Sequence, residues 1–301
     1  MSLPNSTRGD SHRPSAPSSR LTRLVGESVG TGEQGGKEIL VLEARSQAGS
    51  SLSTLALAGL LAQHEEEGDR VDAVRLLVRR REDAEWVVPL IEWLRSRDQL
   101  VLVRTRVRLR GDLVECLRHE GVPVELELAH HDAELQRVLL DGHADSVQAL
   151  LLQAQHLAMI DVAPSVRLGP LLPGVHDEQV FRRLVALVRG ADIHRYRLHV
   201  GSLHSDALAE LGRVLGSAQA MTLTRAFRVS PMVLFEGLET SLRLPPMMSR
   251  GLIAAYERII ANETELVADQ SLRELLDRRG RGSASRGALA LELFSDASLA
   301  S

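Results

Sequence analysis

From Glu38 onward the chain repeats one pattern. A short apolar, β-branched run is followed by a longer amphipathic stretch, and then the pair recurs. The runs 38–44, 73–79, 100–106, 123–129, 162–169 and 194–200 read as strands, and 52–67, 84–97, 111–120, 147–158, 178–189 and 206–217 read as helices. Gly121 punctuates the turn before the fourth strand, and Gly190-Ala191-Asp192 the turn before the sixth. Six such units in succession require parallel strands joined by right-handed helical crossovers, because neighbouring parallel strands cannot be linked by a hairpin. The expected fold class is α/β, either a doubly wound sheet or a (β/α) barrel, full or partial. The repeat by itself leaves these open.

The flanks differ. Residues 1–36 hold 7 Ser, 6 Gly and 3 Pro without apolar periodicity, which predicts a disordered N-terminal tail. Gly35-Gly36-Lys37 does not make a phosphate loop, because Thr31 stands where the first glycine belongs and Glu38 follows the lysine. The β/α units are expected over 37–220. A mostly helical C-terminal extension is expected over 221–301, with helices near 247–262 and 270–278, then a Gly/Ser/Arg-rich stretch at 280–287.

Composition removes several chemistries. Cys116 is the sole cysteine, so an internal disulfide, a cysteine-rich zinc site and a four-thiolate cluster are excluded. Of 36 basic residues only Lys37 is lysine, so an interior Schiff-base lysine is excluded too. Eight aromatics and a net charge of -4 argue against base-stacking and general polyanion binding, so no nucleic-acid partner is expected. No run of 18 apolar residues predicts a membrane helix and no apolar signal segment opens the chain; the expected location is cytoplasmic, with no membrane partner.

In a β/α barrel the chemistry sits where strands end. The loop after the first strand carries Ser46, Ser50 and Ser53, spaced S-x3-S-x2-S. This resembles the radical SAM superfamily, whose partial barrel bears C-x3-C-x2-C on the same loop to hold a [4Fe–4S] cluster that binds S-adenosylmethionine. Two further segments are similar to that family. They are Ala129-His130-His131-Asp132-Ala133-Glu134-Leu135 after the fourth strand, and Leu171-Leu172-Pro173-Gly174-Val175-His176-Asp177 after the fifth. The resemblance spans roughly 38–217 and implies a partial (β/α)6 TIM-like barrel, expected over 37–220. The chain departs from the family twice. Serine oxygens replace thiolates, and a hydroxyl is a poor ligand for a soft cluster. After the second strand, where the family has Gly-Gly-Glu-Pro to hold the cofactor's amino group, stand Arg80-Arg81-Glu82-Asp83.

The resemblance therefore implies a degenerate barrel without catalytic residues, resident metal or cofactor, acting as a binding or scaffold subunit for an active enzyme or a peptide substrate. The alternative is a Cys-to-Ser form of an active radical SAM enzyme, for which S-adenosylmethionine and [4Fe–4S] would be the cofactors. An unrelated α/β barrel binding an anionic ligand is the third reading.

Strand alternation places Arg75, then Arg104 and Arg106, then Glu125 and Glu127, then Arg167, then Arg195, Arg197 and His199 on the faces opposite the apolar ones. Those faces would line the barrel interior. Two arrangements are open. Glu125 and Glu127 pair with Arg104 and Arg106 as a structural ladder. Alternatively Arg75, Arg104, Arg106, Arg167, Arg195 and Arg197 form a pocket for a carboxylate, a phosphate or a partner's acidic segment. His130, His131, His199 and His204 lie near strand ends, but neighbours such as His130 and His131 are expected to point oppositely and make no metal pair. Cys116 reads as a small buried hydrophobe, and Trp86 and Trp93, seven apart, as core packing.

Overall fold

The computed structural model describes residues 41–45, 53–66, 71–229 and 241–269. The 1–36 tail, Ser46, Ser50 and the 270–278 helix lie outside these residues.

Strands β1 (Val41–Arg45), β2 (Ala73–Val78), β3 (Leu100–Thr105), β4 (Val124–Leu128), β5 (Pro164–Leu171) and β6 (Arg195–Val200) pair in chain order, each parallel to the next. Such an order never reverses, so the sheet is singly wound and all its crossovers run in one sense. That removes the doubly wound alternative. Helices α1 (Thr54–Glu66), α2 (Ala84–Ser96), α3 (Gly111–Glu120), α4 (Ala133–Leu139), α5 (Val147–Met159) and α6 (Glu178–Gly190) follow their strands. Side chains from β2 and β6, four strands apart, line one small cavity through Arg75 and Arg197. The sheet is therefore curled, as a partial barrel requires.

Alternation decides which residues face the helices. Val74, Leu76, Val101, Val103, Val124, Leu126, Leu128, Val166 and Leu168 pack with α2, α3, α5 and α6 in one core. Trp86 is buried in it, and Trp93 packs at its edge beneath the Arg97 guanidinium, 4.6 Å from the ring centre. Short polar side chains start the helices by accepting otherwise orphaned N–H groups. Asp132 caps α4, Ser146 caps α5 and Asp177 caps α6. Left-handed residues end the turns into the next strands: Asp98 before β3, Gly121 before β4, Asp161 before β5 and Asp192 before β6.

One crossover departs from the sequence reading. The stretch read as the helix of the sixth unit, α7 (Ser205–Leu215), leaves the barrel wall. With α4 and α8 (Ser217–Phe227) it builds a second apolar core over the strand ends, joined by the antiparallel pair β7 (Ser202–His204) and β8 (Ser241–Arg243). Leu208, Leu211 and Leu223 pack there against Ala129 and Leu172, which close β4 and β5. The helix that returns from β6 is α9 (Pro246–Glu263), which packs on α6 and delivers the short strand β9 (Val267–Ala268) parallel to β6. Periodicity alone cannot separate a cap helix from a crossover helix, since both show one apolar stripe.

Gly169 in β5 has φ +134, and a Cβ there would collide with the His199 carbonyl oxygen of β6. Backbone cannot yield as a side chain can. Gly169→Ala is expected to cost about 3 kcal/mol or more, or to abolish soluble expression. Gly121→Ala, also at positive φ (+61) but in open space, is expected to cost only about 1 kcal/mol. Urea denaturation of the two variants against the parent measures the contrast.

Candidate functional site

The face of the sheet turned away from the helices carries an ion network. Arg104 stands opposite Glu125 in the β3–β4 register, and Glu127, Arg167 and Arg197 form one row across β4, β5 and β6. Arg104 Nε donates to Glu125 at 2.5 Å. Arg106 reaches Glu127 at 2.7 Å and Arg167 reaches its other oxygen at 2.9 Å. Arg197 Nε lies 3.6 Å from Glu125 and 3.3 Å from Asp269, the residue after β9. Arg75 is 2% exposed and lines the same floor as Glu125, Ser165, Arg197 and Asp269. Arg195, at the start of β6, is half-buried and sits opposite Val267 of β9.

The network continues upward. Beyond β3, the Arg106 guanidinium also donates to the Leu140 carbonyl at 2.8 Å and to Asp141 at 3.0 Å. Asp141 accepts from Arg79, beyond β2, at 2.7 Å. Asp145 accepts the Arg108 N–H at 2.7 Å and pairs with Arg81 at 3.5 Å, while its own N–H donates to the Arg106 carbonyl. Segment 140–145 is thus strapped across the ends of β2 and β3. The chain of charges runs from Asp269 at the floor to Arg79 at the rim.

Burial alone would raise the Glu127 pKa. Attraction from Arg106, Arg167 and Arg104 outweighs burial and holds it at about 2. Glu125 is held well below the usual carboxylate range in the same way, with burial opposed by Arg104, Arg75, Arg197 and Arg167. The arrangement formed by Glu125 and Glu127 with Arg104 and Arg106 is the ladder of paired strands.

The loop after β2 is closed on itself. Asp83, buried, accepts the N–H groups of Arg79 at 2.8 Å and Arg80 at 2.9 Å, and the Trp86 indole N–H at 3.2 Å. Its own N–H donates to the Arg80 carbonyl, so Arg80, Arg81 and Glu82 sit on a tight single turn rather than an open glycine cradle. Of the cluster-loop positions, Ser53 is described. It is exposed, and its hydroxyl accepts the Ala56 N–H at 3.2 Å as the cap of α1. An oxygen engaged as a helix cap and hard in character does not fit a soft iron–sulfur cluster.

Past β4 the strand alternation ends, and with it the expectation that His130 and His131 point apart. Their rings stack at 4.5 Å, and His176 meets His130 edge-on at 5.6 Å. His176 accepts the Leu172 N–H through Nδ1 and donates from Nε2 to the Ala129 carbonyl at 2.7 Å. His130 Nδ1 accepts the Asp132 N–H. Burial is the main cause that pushes both His130 and His176 down to about 4. Gln136, on α4, clamps the same strand end by accepting the N–H groups of Ala129 and His130 and donating to the Glu127 carbonyl. The sequence reading missed it; a glutamine on the inner face of a seven-residue helix is its only signal. His199 hydrogen-bonds Ser202, and His204 lies in β7. Among the described residues no group of three His, Cys, Asp or Glu is placed to hold a metal ion. Cys116 is half-buried, its thiol pushed up to about 11 by burial and then by Glu92, Glu120 and Asp112.

No protein-family model and no curated protein matches the chain. Solved structures do resemble it at low identity. SuiB of Streptococcus suis shares 13% identity at TM-score 0.41, over 59% of this chain and 42% of that one. SuiB bound to the precursor peptide SuiA shares 10% at TM-score 0.46, over 73% and 43%. A cysteine-to-alanine mutant of spore photoproduct lyase, with a dinucleoside spore photoproduct, shares 12% at TM-score 0.41, over 69% and 64%. The chain thus spans about two fifths of the SuiB length. No helix among the described residues is long and apolar enough to cross a membrane.

Two outcomes are expected. Glu127→Gln leaves Arg106 and Arg167 buried beside a neutral amide and should cost about 3–5 kcal/mol in urea denaturation. Acid should weaken the fold in two stages. The unfolded chain takes up protons at its histidines near 6.5 while folded His130 and His176 wait until about 4, so stability falls with pH across that window. Between 4.5 and about 2 the unfolded carboxylates protonate before Glu127 does, and stability falls again. Urea midpoints measured from about pH 8 down to about pH 2.5 test both stages.

Proposed function

We propose that this chain is a radical SAM-like barrel that has given up cluster chemistry and serves as a non-catalytic binding or scaffold subunit, with a protein or peptide as partner. The observation that carries this reading is the occupation of the barrel by its own side chains. Barrel chemistry needs a cavity at the C-terminal ends of the strands. Among the described residues the Asp269-to-Arg79 network occupies the inner face of the sheet from β2 to β6, segment 140–145 straps the ends of β2 and β3, and α4, α7 and α8 roof the ends of β4 and β5. Ser53 as a helix cap and the self-closed Arg80–Asp83 turn lend further support. In this reading Arg75, Arg104, Arg106, Arg167 and Arg197 are structural cations with carboxylate neighbours, and what a partner meets is the outer surface. Cytoplasmic location belongs to the same proposal.

Anaerobic reconstitution with iron and sulfide, followed by metal analysis and calorimetry with S-adenosylmethionine, tests it. The expected result is no stoichiometric cluster and no heat of binding at millimolar cofactor. A [4Fe–4S] cluster at one per chain overturns the proposal.

A further inference from the structure

The roof over the strand ends carries charge of one sign. Its described stretches 211–229 and 241–256 contain Arg213, Arg225, Arg228, Arg243 and Arg250 and no aspartate or glutamate. All of these arginines are exposed, and among the described residues none has a carboxylate within ion-pair reach. By contrast, the exposed Arg81, Arg95, Arg110, Arg118, Arg137 and Arg182 each have a carboxylate between 2.5 and 3.8 Å away. All but Arg213 gather at one corner. Helices α7 and α8 are joined through Gly216 alone and pack on each other, which returns the end of α8, with Arg225 and Arg228, to the start of α7. That start follows β7 directly, and β7 pairs with β8, where Arg243 stands opposite Ser202. Phe227 and Val229, on either side of Arg228, share the second core with Leu203, Leu242 and Leu244 of this ribbon. Helix α9 opens at Pro246, just past Arg243, and brings Arg250 on its second turn. Between Arg243 and Arg250 stand Met247, 76% exposed, and Met248, 41% exposed, and the Arg250 guanidinium rests on the Met247 sulfur at 3.2 Å.

We propose that this corner of the cap docks an acidic segment of a partner protein, one whose carboxylates are interspersed with apolar side chains. Charge selects the sign of the partner. The chain as a whole carries a net charge of -4, so an anionic segment is repelled by the molecule at large and drawn to the place where positive charge stands uncompensated. Each guanidinium offers a planar fork that fits a carboxylate in two hydrogen bonds. The methionines select the kind of anion. Their unbranched, polarisable side chains adapt to varied apolar partners, which a peptide supplies between its acidic residues. A phosphate backbone would engage the arginines and leave Met247 and Met248 idle, and base stacking would need exposed aromatics, of which 241–250 has none. A lipid surface would need a broad apolar face, whereas the large apolar side chains that α9 exposes are these two. The proposal rests on the scaffold reading for there being a partner, and it adds the partner's chemistry and its landing place.

Fluorescence anisotropy of the full chain with a labelled glutamate-rich peptide carrying interspersed leucines tests it. The comparison probes are the same peptide with lysine for glutamate, a mixed-sequence DNA duplex, and vesicles of phosphatidylglycerol with phosphatidylcholine. The acidic peptide should bind with a Kd of about 10–100 μM at low salt, weakening by about tenfold as salt is raised several-fold. The triple variant Arg225→Glu, Arg243→Glu and Arg250→Glu should lose about tenfold or more in affinity while keeping its far-UV circular dichroism and urea midpoint, since all three side chains are exposed. Reversing two other exposed arginines, Arg183→Glu with Arg258→Glu, should leave binding unchanged. Met247→Ser with Met248→Ser should weaken the peptide several-fold. Failure of the acidic peptide to bind, binding that survives the triple variant, or binding indifferent to the methionines overturns the proposal. Tighter binding of the duplex or the vesicles overturns a peptide as the occupant. Cluster reconstitution is a separate readout: a chain that binds the peptide here and also takes up a cluster overturns the scaffold reading alone, and a chain that does neither overturns the docking surface alone.

Discussion

Arg75, Arg104, Arg106, Arg167 and Arg197, on or just beyond neighbouring strands, must find counter-charge, because a guanidinium keeps its proton and cannot escape burial by neutralising itself. Most of the architecture answers to that demand. Glu125 and Glu127 sit on the middle strand, each within reach of cations on both sides. The carboxylates that finish the task come from elsewhere: Asp269 from beyond the last strand and Asp141 from the loop after α4. Charge balance in the interior is therefore a tertiary property. It ties the floor of the barrel to the segment that follows α9 and its rim to the strap.

The parallel α/β fold was legible because its signals are local. Alternation with period two fixed which strand residues face the helices, and strand and helix limits fall within a few residues of where the apolar pattern changes. The pairing of Arg104 with Glu125 and Arg106 with Glu127 followed from alternation plus neighbouring strands. What the sequence did not disclose was the partner of each remaining charge. Asp83, Asp141, Asp145 and Asp269 look like ordinary turn aspartates in the chain. Only the fold brings two of them against buried guanidinia and turns another into the clamp of the β2 loop. The stacking of His130 on His131 was missed for a related reason: alternation was carried past the point where β4 ends.

The cap shows how a barrel acquires a roof without changing its wall. The insertion between β6 and α9 begins at Gly201, whose N–H donates to Leu171 of β5 and whose carbonyl accepts from Leu244. A Cβ at this position, with φ +73, would stand 2.8 Å from the Leu244 side chain. The segment therefore leaves and re-enters the barrel through one point, and α9 resumes the winding as though nothing intervened. The histidines and Gln136 lie under this roof, where their polar atoms satisfy the backbone at the ends of β4 and β5.

That detour sets an order of events during folding. β6 and β9 are neighbours in the sheet, yet Tyr196 and its partner Ala268 are about seventy residues apart in the chain. Closing so long a loop is entropically costly compared with the local β/α pairs that precede it. The first six strands can assemble from near-neighbour contacts, while the last strand arrives late and brings Asp269 with it. Until then Arg197 at the barrel floor keeps access to water. Docking of that strand pairs the start of β6 and sets a second carboxylate, Asp269, beside an arginine that Glu125 already approaches.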